Sequence, residues 1–169
     1  MNDAVSRIID TNFEKIKSWI EVRKEKLPQI FYSSVDLRES SFKSASVDTN
    51  IFPAGFNNLD KSNFDNLVNQ CRKYINKNVS NCSSILLLCE DHTRNKFYLE
   101  NVQNLANIIK HSGFNVTIAS FLKEHSDICK NTGYIQLSTN FNQKIEIYCL
   151  SFIKNNLSSF NFDLCILNN

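Results

Sequence analysis

A continuous apolar run of strand length, SSILLLCE at 83–90, is followed by a helical pattern and then by a second strand-like run, FNVTIASF at 114–121. A run that is apolar at successive positions has the signature of a strand buried on both faces, as strands of a parallel sheet are. Between the two runs Phe97, Val102, Leu105, Ala106 and Ile109 recur at helix spacing, and Gly113 stands where that helix should end. Strand, helix and strand in this length make the unit needed for a right-handed parallel crossover. The fold class that follows is α/β, a partly parallel open sheet flanked by helices.

The remaining elements are arranged around that unit. Val5, Ile8, Ile9, Phe13, Ile16, Trp19 and Ile20 mark one face of a helix over 3–27, stopped by Pro28. A β-rich run over 29–37 is expected to join the sheet. Ser62 or Asn63 is placed to cap a helix over 63–77 whose apolar face is Phe64, Leu67, Val68, Cys71, Tyr74 and Ile75. Residues 134–137 and 144–150 flank the polar turn STNFNQ and predict an antiparallel hairpin inserted near 134–150. FDLCIL at 162–167 is a further buried strand, with one or two helical turns expected over 151–157. A length of 169 residues fits one domain, so 1–169 reads as a single α/β domain.

Composition excludes several classes of function. A net charge of +2 without interleaved basic and aromatic residues gives no footprint for nucleic acid. No apolar run approaches the roughly 20 residues that span a bilayer, and the N-terminus lacks the basic and apolar regions of a secretory signal. Cytoplasmic residence is the default expectation, with no membrane partner. The six Cys, at 71, 82, 89, 129, 149 and 165, form no CxxC pair and have no His pair at zinc spacing. Cys89, Cys149 and Cys165, inside apolar strand-like runs, read as small core hydrophobes in a reducing compartment, core packing is favoured over a disulfide framework, and no metal ligands are assigned. His111 and His125 are isolated and carry no assigned role. The phosphate-loop, dinucleotide and hydrolase-elbow motifs are absent.

Two segments carry candidate site residues. In 35–59 Asp36, Arg38, Lys43, Asp48, Asn50, Asn57 and Asn58 lie among apolar anchors at Val35, Leu37, Phe42, Val47, Ile51, Phe52 and Phe56. Polar groups held near a core are how small polar ligands are gripped. Pro53 and Gly55 predict a tight turn over 52–56. The structural alternative is that the charges pair on the surface and the two Asn serve only the turn. The second segment is EDHTRN at 90–95, between the buried strand and the next helix. A helix N-terminus attracts carboxylate or phosphate; Arg94 adds a bidentate donor, His92 a titratable group and Glu90 a cation ligand or base. Here the alternative is that Asp91 or Thr93 caps the helix while Arg94 pairs with Glu90.

The segments SSVDLRESSFKSASVDTNIFPAGFNNLD and ILLLCEDHTRNKFYLENVQNLANIIKHSGFNVTIASF resemble the N-terminal part of the proteobacterial-type glutamate-cysteine ligases, through VDTN followed by FPAGFNNL and DHTRN followed by FYLENV. The resemblance implies ATP-dependent formation of γ-glutamylcysteine from glutamate and cysteine, the first step towards glutathione. The resemblance further implies that a magnesium-bound nucleotide would phosphorylate the glutamate side-chain carboxylate and that the cysteine amine would then displace phosphate. Carried onto this chain, the motifs make Arg38, Lys43 and Arg94 candidates for carboxylate or phosphate binding. Asp36, Asp48, Asn50, Asn57 and Asn58 become candidates for amine recognition or for shaping the pocket, and Glu90, His92 and Asn95 would line the strand end. No residue is assigned as catalytic.

Family members are longer, so the chain is expected to be the N-terminal, substrate-binding part of a larger ligase, with the main ATP and Mg2+ ligands beyond Asn169. The stretch ESSFKSASVDTN departs from the family pattern by carrying Ser where Gly and Pro stand. The alternative function is a non-catalytic ligand-binding or partner-interaction module.

Overall fold

Ile85, Leu87 and Cys89 alternate with Leu86 and Leu88 along β3 (Ser84–Cys89), and only the first set is sealed from solvent. The computed structural model describes residues 3–28, 30–41, 43–122 and 126–168. It divides into two compact units, Met1–Phe52 and Pro53–Asn169.

The second unit is built on a five-stranded sheet, among the described residues, in the order β5 (Tyr134–Ser138), β6 (Lys144–Cys149), β4 (Asn115–Ser120), β3 and β7 (Leu164–Asn168). β3 runs parallel to β4 on one side and to β7 on the other. β4 is parallel to β6, and β6 is antiparallel to β5. The strand, helix and strand read from the sequence are therefore adjacent parallel strands joined through α4 (Lys96–His111). The antiparallel hairpin expected near 134–150 also forms, and it extends the sheet through β6.

α3 (Phe64–Asn78) and α4 pack on each other. α4 also covers the sheet face bearing Ile85, Leu87, Ile166 and Asn168, burying Leu99, Val102, Leu105, Ala106 and Ile109. This burial is the dominant stabilising term, at about 1.5–3 kcal/mol for each large aliphatic side chain removed from water. The opposite face carries half-buried Leu86 and Leu88 beside exposed Cys165 and Leu167. β3 is thus sealed on one face, not on two, because α4 supplies one layer only. At the far side of the sheet Tyr148 packs near Tyr134 and Phe160, at ring separations of 5.4 and 5.6 Å. α5 (Ser126–Thr132) precedes β5, and α6 (Leu150–Asn155) follows β6.

The first unit differs from expectation in three ways. The helix over 3–27 is broken at Asn12 into α1 (Asp3–Thr11) and α2 (Phe13–Lys24), where the Asn12 amide donates back to the Ile8 carbonyl. The run expected over 29–37 does not enter the large sheet. Instead β1 (Ser34–Glu39) pairs with β2 (Ser44–Asn50) as a separate antiparallel hairpin. Lastly, no described residue of this unit is buried, and Ile8, Phe13, Trp19, Val35, Leu37 and Val47 are all more than half exposed. The apolar anchors are present, but the unit folds no core over them; Phe42 lies outside the described residues, as do Gln29 and His125.

Four cysteines, Cys71, Cys82, Cys89 and Cys165, are free thiols. Burial pushes the Cys89 thiol up to about 12, and its Sγ donates to the Ala119 carbonyl, so it packs as an inert hydrophobe. Cys149 departs from that expectation, being wholly buried and disulfide-bonded. Apolar surroundings suit either oxidation state, which is why composition did not separate them. No helix among the described residues is long and apolar enough to cross a membrane.

One exposed carboxylate clamps the start of the sheet. Asp163 Oδ2 accepts from the backbone N–H of Ser83 and Ser84 and from the Ser83 hydroxyl, which holds its carboxyl below the ordinary aspartate range. A depressed folded-state pKa contributes stability that is present above the unfolded pKa and lost as pH falls through the folded one. Asp163→Asn should therefore lower the urea midpoint at pH 7, and the difference from wild type should close in acid, below the ordinary aspartate pKa.

Candidate functional site

Asn101 stands on the inward face of α4, one position before Val102, and is 2% exposed. A carboxamide at such a position must find partners or cost about 1–3 kcal/mol for each group left unsatisfied. Its Oδ1 accepts from the backbone N–H of Gly55 at 2.7 Å and of Phe56 at 2.9 Å. Its Nδ2 donates to Asn168 Oδ1 at 3.1 Å, and Asn168 Nδ2 donates to the Pro53 carbonyl at 3.2 Å. The Tyr98 hydroxyl extends the network, donating to the Asn168 carbonyl at 3.1 Å and accepting from the Glu90 N–H at 2.9 Å. Four segments are joined here: the turn at 53–56, the residue that follows β3, the carboxyl end of β7 and the first turns of α4.

The turn expected over 52–56 forms within this network. Gly55 adopts φ +103°, the left-handed region that favours glycine, and Phe56–Asn58 follow as one 3-10 turn closed by the Asn58 N–H on the Gly55 carbonyl. Between turn and helix lies an open groove of about 500 Å³, lined by Ala54, Gly55, Asn57, Asn58, Asn95, Phe97, Tyr98 and Asn101. Three of the sequence candidates, Asn57, Asn58 and Asn95, are thus brought together.

Asn95 proves to be the cap of α4. Its Oδ1 accepts from the N–H of Phe97 and of Tyr98, each at 3.1 Å, and Leu99 N–H bonds its carbonyl. Neither Asp91 nor Thr93 takes that position, and the helix end is already satisfied by its own chain. The His92 ring lies against the Glu90 carboxylate at the strand end, Nε2 to Oε2 at 2.5 Å. The His92 ring meets Tyr98 edge to face at 5.2 Å. Arg94 is exposed on the same connection.

In the first unit, strand register brings Asp36, Arg38, Asp48 and Asn50 onto one surface. Asp36 lies directly opposite Asp48, with a bulge between Asp36 and Leu37. Side chains alternate along a strand, so Arg38 shares the face of Asp36 and Asn50 shares that of Asp48. No ion pair joins Arg38 or Lys43 to either aspartate among the described residues. Two like charges in register are unfavourable by themselves. Asn50 Oδ1 accepts from Phe52 N–H at 2.7 Å, shaping the strand exit, while the Lys43 backbone closes the hairpin loop on Ser40.

A family model for glutamate-cysteine ligase matches residues 6–169. The chain belongs to the glutamate-cysteine ligase family. Among solved structures, a crystal structure described as "Putative gamma-glutamylcysteine synthetase", from Methylobacillus flagellatus KT, superposes with a TM-score of 0.84 at 32% sequence identity. The match covers 98% of this chain and 38% of that one, so the chain spans well under half the length of this relative. No curated protein matches.

For this ligase-family chain, sequence reasoning missed Asn101, Asn168 and Tyr98. One signal was present: Asn101 falls on the face that Tyr98, Leu105 and Ile109 occupy, where an amide is out of place unless it has partners. Truncating Asn101 to Ala leaves two backbone N–H groups and the Asn168 amide short of a partner, and should cost about 2–4 kcal/mol in urea unfolding. Gly55→Ala should cost about 1–2 kcal/mol. A Cβ there would meet no heavy atom closer than Asn58 Nδ2 at 3.8 Å, so the backbone alone sets the penalty.

Proposed function

We propose that the chain acts in ATP-dependent ligation of the glutamate side-chain carboxylate to the cysteine amine, giving γ-glutamylcysteine. The observation that carries this reading is the match of 6–169 to the glutamate-cysteine ligase family, supported by the shared fold at 32% identity. Cytoplasmic residence is part of the proposal.

Ligation through an acyl phosphate needs cations near the carboxylates, and amine and carboxylate recognition to hold glutamate in line. Arg38 and Lys43 supply fixed positive charge on the hairpin, and Arg94 does so on the connection into α4. The opposed pair Asp36 and Asp48 suits a substrate ammonium. It also suits Mg2+, which is commonly held by one or two carboxylates plus phosphate oxygens. Among the described residues no group of three or more His, Cys, Asp or Glu is placed to hold a metal. When bound, magnesium ATP would supply the phosphoryl group that activates the carboxylate. The residues of this chain bind and orient: Asn50 shapes the hairpin exit, while Glu90 with His92 forms a polar pair at the carboxyl end of β3.

Assayed with ATP, glutamate and cysteine, the protein should release ADP only when both amino acids are present. Arg38→Ala and Arg94→Ala, compared at equal thermal stability, should each lower kcat/KM by about tenfold or more, which corresponds to about 1.4 kcal/mol of lost transition-state binding. Wild-type kinetics in both variants would remove these two residues from the site. Glutamate binding by calorimetry without any ADP release would favour the non-catalytic module instead.

A further inference from the structure

The imidazole of His92 is held by two neighbours just beyond the carboxyl end of β3, and ligands of α/β sheets bind outside such strand ends. The Glu90 carboxylate meets its Nε2, and the Tyr98 ring packs against it edge to face. Tyr98 is itself fixed, because its hydroxyl accepts from the Glu90 N–H and donates to the Asn168 carbonyl. Glu90 therefore anchors the arrangement twice, its backbone through Tyr98 and its carboxylate through the His92 ring.

The carboxylate contact decides which nitrogen is basic. A neutral imidazole carries one N–H and a carboxylate can only accept, so the hydrogen belongs on Nε2 and the lone pair on Nδ1. Among the described residues Nδ1 makes no hydrogen bond, and the His92 side chain is 57% exposed. A carboxylate on one ring nitrogen and a substrate proton at the other is the arrangement in which an imidazole serves as a general base. The carboxylate orients the ring and stabilises the imidazolium that forms. Glu90, read from the sequence as a cation ligand or a base, is engaged as the partner of the base instead.

Amide formation creates the need for such a group. A substrate ammonium gives up two protons on becoming an amide N–H: the first, to water, before its nitrogen can attack, and the second from the cationic tetrahedral adduct. We propose that His92 Nδ1 accepts the second proton, as the general base for attack of the cysteine amine on the phosphorylated glutamate carboxylate. The C–N bond forms, Nδ1 takes the proton from the adduct nitrogen, and the C–O bond to phosphate breaks with its electron pair leaving on phosphate. The imidazolium then hands its proton to the departing phosphate. This assignment rests on the ligase reading for the reaction, and on the contacts among Glu90, His92 and Tyr98 for the base.

Two measurements test it. In proton–nitrogen correlation spectra of the ring, recorded above the ordinary histidine range and assigned by the signal lost in His92→Gln, the hydrogen should sit on Nε2; a hydrogen on Nδ1 would overturn the proposal. ADP release is then followed with cysteine and with hydroxylamine as the acceptor amine, for wild type and His92→Gln at equal thermal stability. Hydroxylamine is the weaker base of the two, so its adduct is acidic enough to lose its proton to water unaided. His92→Gln should slow the cysteine reaction by about a hundredfold or more, the scale of general-base catalysis, and the hydroxylamine reaction by much less. Equal slowing with both amines, or an unchanged rate with cysteine, would sink the base and leave the ligase reading intact. No ADP release from the wild type with either amine would reject both.

Discussion

The carboxamide of Asn101 is the constraint around which the second unit is organised. A buried amide has donors and acceptors to satisfy, and here every partner lies in a distant segment: the backbone of Gly55 and Phe56, and the side chain of Asn168 at the end of β7. Each such bond contributes only about 1 kcal/mol net, but leaving one unmade costs more than making it gains. The penalty is what makes the arrangement specific. With Asn101 set by helix packing, the Pro53–Phe56 turn has one place to dock, and the groove beside it acquires a fixed wall.

The two units solve their burial problems differently. In 53–169 the βαβ pattern provides a helix layer over one sheet face, and Ile85, Leu87, Val102, Leu105 and Ile109 close a core. In 1–52 the helices keep an apolar stripe and the hairpin keeps apolar positions, yet no described residue is buried. Periodicity reports which side chains share a face; it carries no information about whether anything covers that face. That is why the helix face and the anchors of the hairpin were legible while their exposure was not.

The candidate site was legible to a similar degree. Asn57, Asn58 and Asn95 were marked by turn and helix-start chemistry, which is local, and they do line one groove. Asn95, expected from the family motif to line the strand end, lines the groove and also caps α4 with its own side chain. Asp36, Arg38, Asp48 and Asn50 were marked by composition, and only strand register shows that they share one face. Asn101 and Asn168 escaped notice because each lies inside a regular element, where an isolated Asn reads as a gap in the pattern.

The sequence by itself determined the alternation of apolar strand, amphipathic helix and apolar strand, the turn chemistry at Pro53 and Gly55, and the motifs shared with the glutamate-cysteine ligases. These are short-range properties, set by side-chain period and backbone preference within about 20 residues. Only the tertiary structure decided that β1 leaves the main sheet, that β3 is sealed on one face, and that Asn101, Asn168 and the 53–56 turn meet. Those outcomes depend on which distant groups satisfy each other's hydrogen bonds and burial, and that pairing is a property of the folded chain as a whole.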